Sequence, residues 1–129
     1  MARFYHVDIA RFASDAEPKW VDNLLSHFDI PGVDGARQGL ARRISAEGVY
    51  HIALIRTLSR GLGLSTGTAV SVAAQLLSSV DSRIDAGDGI SLQLDREAFQ
   101  RTIDAAIAEA VETIAPARRG RPPKRTIGS

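Results

Sequence analysis

The chain has 129 residues, enough for one ordinary domain with a core of its own. Its 44% apolar and 24% charged residues are those of a soluble globular protein, no apolar run approaches bilayer length, and the absence of cysteine excludes disulfides, thiolate chemistry and cysteine-based metal sites. The net charge of +1 conceals a split: residues 1–60 hold 8 basic and 7 acidic groups, residues 61–115 hold 3 and 8, and residues 116–129 hold 5 basic groups and no acid.

The first predicted helix spans Val7–Ala13, with Val7, Ile9, Ala10 and Ala13 as its apolar positions. The stretch Ser14-Asp15-Ala16-Glu17-Pro18 breaks it, and Pro18 suits the first turn of a following helix. Ser14 or Asp15 is the expected cap. The second helix is expected over residues 16–28, where Trp20, Leu24 and Phe28 form one apolar stripe with Val21 and Leu25 beside it. Lys19, Asp22, Asn23 and Ser26 face the other way. Residues 30–39 are turn chemistry, with three glycines and a proline, and residues 40–44 read as a short strand returning from that turn. Ser45 caps a third helix, Ala46–Gly61, which is apolar on most sides and therefore expected at the buried centre. Ser65 caps a fourth, running to about Val80. Residues 85–89 read as a turn and residues 90–94 as a lone strand, since apolar and polar side chains alternate there. Asp95 caps a last helix over residues 96–115, whose seam is Phe99, Ile103, Ile107, Val111 and Ile114. From Pro116 the chain is basic and rich in proline and glycine, and disorder is expected. The expected fold class is therefore mainly α, with short β elements. The expected organisation is a domain over residues 1–80, a strand-plus-helix element over 81–115 that packs or dimerises, and a tail over 116–129.

Three stretches, in this order, resemble the DNA-binding domain of the MerR family. Val7-Asp8-Ile9-Ala10-Arg11-Phe12-Ala13 is similar to the family's first helix. Arg42-Arg43-Ile44-Ser45 is similar to the end of its wing and the cap of the next helix. Leu58-Ser59-Arg60-Gly61-Leu62-Gly63-Leu64-Ser65 is similar to a later helix junction. The resemblance covers roughly residues 5–77 and implies a winged helix-turn-helix. The helix over residues 16–28 would enter the major groove, and the loop over 30–44 would be the wing. In that reading Lys19 and Asn23 touch base edges, Ser26 lies on the same DNA-binding face, and Arg37, Arg42 and Arg43 hold phosphates. The resemblance also implies a homodimer through the C-terminal helix. Two features depart from the family pattern: the second helix presents few basic groups, with Asp22 set to repel phosphate, and no effector domain or metal-binding cysteine follows.

The segment Arg118-Arg119-Gly120-Arg121-Pro122-Pro123-Lys124-Arg125 contains an Arg-Gly-Arg-Pro core that resembles an AT-hook. Gly120 lets the backbone approach the floor of a narrow A·T minor groove, and Arg119 and Arg121 extend along it, drawn by its concentrated negative potential. Pro122 keeps the flank extended, and Arg118, Lys124 and Arg125 add phosphate contacts. Arg118 stands where the usual hook has a proline.

His6, His27 and His51 show no metal-ligand spacing, Asp81, Asp85 and Asp88 lack a calcium-loop pattern, and no glycine-rich phosphate loop or nucleophile motif is present. No catalytic activity, cofactor or small-molecule effector is expected. The N-terminus carries no apolar secretory segment, so a cytoplasmic, nucleoid-associated protein is the expectation. The acidic stretch 61–115 repels a polyanion, so duplex DNA is expected to meet only the first half of the body and the tail. The function expected is that of a small transcriptional regulator or architectural factor on A·T-rich DNA. The alternative is a protein–protein interaction module that uses the acidic C-terminal half.

Overall fold

A computed structural model describes residues 4–34 and 42–119, with the backbone alone at 115–119. Among the described residues there are five helices and two small sheets. In chain order they are β1 (Phe4–Tyr5), α1 (Val7–Ala13), α2 (Pro18–His27), β2 (Val33–Asp34), β3 (Arg43–Ser45), α3 (Ala46–Gly61), α4 (Thr66–Ser78), β4 (Arg83–Gly87), β5 (Ile90–Gln93) and α5 (Arg96–Arg119). The fold is mainly helical, as the apolar periodicities require. None of the helices is long and apolar enough to cross a membrane, among the described residues.

The centre of the molecule is α3. Its residues Val49, Ile52 and Ile55 are fully buried, and Ala53, Leu54 and Leu58 nearly so. A helix that is apolar on most sides can be satisfied only by neighbours on most sides. Here α4, α1 and α5 all pack on it, and α1 also lies along α5. Ser45 caps α3 as expected, its hydroxyl accepting from the Gly48 N–H at 3.3 Å, and Ser65 caps α4 through the Thr68 N–H at the same distance. Asp95 caps α5 by accepting from the Ala98 N–H at 3.1 Å.

Four expectations change. The N-cap of α2 is Glu17, not Ser14 or Asp15, and it makes no side-chain cap bond. Asp15 instead takes a positive φ of 52°, turning the chain between α1 and α2, and Ser14 is buried. The strand at residue 90 is not alone. It pairs antiparallel with β4, a strand hidden in the sequence because Asp85-Ala86-Gly87 reads as turn chemistry. The actual turn is Asp88-Gly89, both at positive φ, the geometry that a two-residue hairpin demands. A register shift between Asp85 and Gly87 absorbs the extra residue. Finally, α5 continues past Ala115 to Arg119. Pro116 lacks one N–H and so removes one helical bond, which the helix carries across, flanked by alanines. Arg118 and Arg119 therefore sit on a helical backbone, not on the extended tail expected of them.

The seam of α5 folds back on its own domain. Ile103 and Ile107 are buried and Ala110 fully so, while Phe99, Val111 and Ile114 pack against the same core from its margin. The Phe99 ring meets Tyr50 of α3 edge-on, with centroids 6.3 Å apart. The residues expected to dimerise, Phe99, Ile103, Ile107, Val111 and Ile114, thus face α1 and α3 of the same chain. Folding back was the other way for this seam to leave water, and it needs no second copy.

Candidate nucleic-acid interface

The two-residue strand β1 was not legible in the sequence, yet it organises one end of the molecule. It pairs antiparallel with β3, Phe4 opposite Ser45 and Tyr5 opposite Ile44. On its other side β3 pairs with β2, Val33 opposite Ile44 and Asp34 opposite Arg43. Ile44 is fully buried, so its neighbours Arg43 and Ser45 point to the opposite face of the pleat. Arg43 is exposed there, its guanidinium 4.2 Å from the centre of the Phe4 ring.

The base of this hairpin is fixed by a close backbone approach. Gly32 has a φ of +85°, and a Cβ built on it would stand 2.3 Å from the Gly48 nitrogen at the start of α3. Its carbonyl accepts from the Ser45 N–H at 2.8 Å and from the Ser45 hydroxyl at 3.1 Å. Gly48 is equally constrained, since a Cβ there would lie 2.8 Å from the Gly32 oxygen. Two glycines and a serine therefore lock the hairpin to the buried central helix.

Beside the hairpin lies α2. Val21 and Leu24 are its buried positions, and Trp20, Leu25 and Phe28 pack against the core. The Arg56 guanidinium covers Trp20 at 5.7 Å from the ring centre, so the indole serves packing. The opposite side of the helix exposes Lys19, Asn23, Ser26 and His27. His27 Nδ1 lies 2.8 Å from the Asn23 carbonyl oxygen, one turn back, which holds the ring along the helix. Arg42, at the entry to β3, donates to the Ser26 hydroxyl at 3.2 Å. Hairpin and helix thus share one outward surface, on which Lys19, Asn23, Ser26 and Arg42 come together.

Asp22 does not stand free on that surface. Arg11 of α1 donates to it at 2.6 Å and to Asp8 at 2.7 Å. The hydrogen bond that Arg11 donates to Asp22 is the largest of the effects that raise the pKa of Arg11 above its ordinary value, followed among them by the charge of Asp22. The bridge ties α1 to α2 across the turn and offsets the negative charge that the sequence set against phosphate. Asp34, opposite Arg43 in the strand register, offsets part of the positive charge in the same way.

Arg37, Gly120, Arg121, Pro122, Lys124 and Arg125 lie outside the described residues, as do the side chains of Arg118 and Arg119. Sequence reasoning missed Arg11, Phe4, Gly32 and Gly48. The first pairs with Asp8 at helical spacing, a local signal, but its bond to Asp22 depends on how two helices cross. No group of three or more His, Asp or Glu side chains lies together as a metal site among the described residues. His6 accepts from the Asp8 N–H at 3.1 Å as the cap of α1, and buried His51 is 3.0 Å from the Glu47 carbonyl oxygen.

No protein-family model, curated protein or solved structure matches the chain.

Proposed function

We propose that the protein binds double-stranded DNA as a winged helix-turn-helix, with α2 in the major groove and the β2–β3 hairpin against the neighbouring backbone or minor groove. The observation that carries the reading is the contact between Arg42 and Ser26, because it sets the base of the wing beside the exposed face of α2. Both can then meet one duplex without rearrangement. The order of elements from β1 to α4 supports the same reading. So does the ion pair of Asp22 with Arg11, which offsets part of the negative charge that α2 sets against phosphate.

The chemistry of that face suits weak base reading. Asn23 is able to bond adenine with two hydrogen bonds, Lys19 meets a base edge or a phosphate, and Arg42 and Arg43 hold the backbone. One amide reader is a small set, so phosphate contacts and groove shape supply most of the binding, as in an architectural factor. The tail adds a second, minor-groove contact in this reading. Because Arg119 ends α5, its hook begins effectively at Gly120-Arg121. A body that is acidic over residues 61–115 turns that half away from the duplex, toward solvent or a partner.

Gel-shift titrations with A·T-rich and G·C-rich duplexes at moderate salt test the proposal. Tighter binding to the A·T-rich duplex, weakened by Arg42→Ala and by Lys19→Ala, is expected. In the same assay Asn23→Ala separates two versions of the reading. Loss of one sequence's advantage marks a regulator, and a uniform result marks an architectural factor. Failure to bind either duplex overturns the proposal and favours the acidic half as a protein-interaction module.

A further inference from the structure

A cleft of about 830 Å³ lies between the turn that joins α1 to α2, the second half of α3 and the C-terminal half of α5. That volume is within the range of small-molecule sites. The walls come from four helices and share no sequence motif. Phe12, which stays 40% exposed, lines the cleft with Ala16, Pro18, Ala106 and half-buried Ile114, and these give it an apolar floor.

The charged groups around that floor are not all answered. Arg11 is held by Asp8 at 2.7 Å and by Asp22 at 2.6 Å, and Arg60 stands 3.8 Å from Asp15. Arg56 differs from both. It lines the cleft half-buried, its Nε is enclosed without a hydrogen-bond partner, and no carboxylate reaches its guanidinium, among the described residues. Trp20 covers one face of the group at 5.7 Å. A guanidinium offers N–H donors in a planar fork that matches a carboxylate, and a partly dry site makes such a pair stronger than it is in water. Glu17, at the start of α2, and Glu109 of α5 line the same cleft, exposed and without an ion pair among the described residues.

We infer that this cleft binds an apolar α-amino acid. The ligand's carboxylate lies on Arg56, its ammonium faces Glu17 or Glu109, and its side chain rests on Phe12 and Ile114. Charge selects the zwitterion. A plain carboxylate or a phosphate answers Arg56 but meets Glu17 and Glu109 as like charges. A plain amine answers the glutamates but leaves Arg56 unpaired and repels it. The apolar floor selects a side chain without charge. Arg56 projects from α3, the buried centre of the fold, where Ile52 and Ile55 are fully enclosed, so its position is set before a ligand arrives. The inference stands apart from DNA binding, and its test contains no DNA.

Trp20 is the single tryptophan of the chain and lies against Arg56, so its fluorescence reports on the site. The full chain is titrated with phenylalanine, with phenethylamine, which lacks the carboxylate, and with hydrocinnamate, which lacks the ammonium. Calorimetry repeats each titration. Phenylalanine is expected to saturate one site, and each analogue to bind about tenfold more weakly or worse, as the loss of a charge-assisted hydrogen bond requires. Arg56→Gln is expected to weaken phenylalanine by a similar factor and to erase its advantage over phenethylamine. The double variant Glu17→Gln, Glu109→Gln alters only exposed side chains, so the fold survives, and phenylalanine is expected to lose its advantage over hydrocinnamate. If Arg56→Gln does not fold, the analogue series on the wild-type chain and the glutamate variant decide the matter. Absence of saturable phenylalanine binding, or equal binding of phenylalanine and either analogue by the wild-type chain, overturns the inference.

Discussion

Gly32→Ala is a direct test of how the hairpin is held, because Gly63 provides an internal control. Both glycines sit at positive φ, +85° and +68°, and a side chain in that region costs about 1–2 kcal/mol. Loss of glycine's freedom in the unfolded chain returns about 0.4–1 kcal/mol of this, leaving a net cost of about 1 kcal/mol for Gly63→Ala, where nothing lies within 4 Å. At Gly32 the added carbon stands 2.3 Å from the Gly48 nitrogen, against an ordinary contact of 3.4 Å or more. The hairpin base and the start of α3 must part by about 1 Å, as that shortfall requires, and the two bonds from Ser45 to the Gly32 carbonyl go with it. At about 1 kcal/mol each, those bonds raise the expected loss to roughly 3 kcal/mol or more. Urea denaturation of both variants measures the difference. Gel shifts at a temperature where Gly32→Ala is still folded should then show weakened DNA binding, with Gly63→Ala unchanged. Equal losses of stability in the two variants would refute the view that this close approach fixes the hairpin.

Deleting residues 116–129 removes five basic groups, and the slope of log affinity against log salt should flatten by up to about 4.5 if each contacts a phosphate; an unchanged slope removes the tail from the interface. Ile107→Ala should destabilise the fold by about 2–5 kcal/mol, and by the same amount at every protein concentration, because the side chain is buried against its own domain. A loss that grows with concentration would instead locate Ile107 between subunits. Burial and the bond to Asp104 push the Tyr50 hydroxyl up from its ordinary 10 to about 12. A raised pKa means that the folded state keeps its proton longer than the unfolded state, so the stability from this group is complete below pH 10 and is lost as pH rises toward 12. Tyr50→Phe should abolish that part of the alkaline slope in a comparison of melting temperatures, and an identical slope would contradict the assignment.

Local chemistry and apolar period fixed much of this protein before any tertiary structure. Ser45, Ser65 and Asp95 cap the helices they were expected to cap, because a cap is decided within four residues. The run from Val49 to Leu58 dictated a buried centre, since no single face could hide it. What the sequence could not decide were pairings between distant residues. β1 is two residues long and exists only because β3 offers it a ladder. β4 exists because β5 returns against it across Asp88-Gly89, overriding turn-like composition. The seam of α5 has the same period whether it meets α1 and α3 or a second copy, and only the crossing of the helices chose the first. The surface shared by Lys19, Asn23, Ser26 and Arg42 arises in the same way. Each residue was identifiable by type, but the 16 positions that separate Arg42 from Ser26 along the chain are closed by the lock of Gly32 against Gly48, a backbone approach that no local pattern encodes.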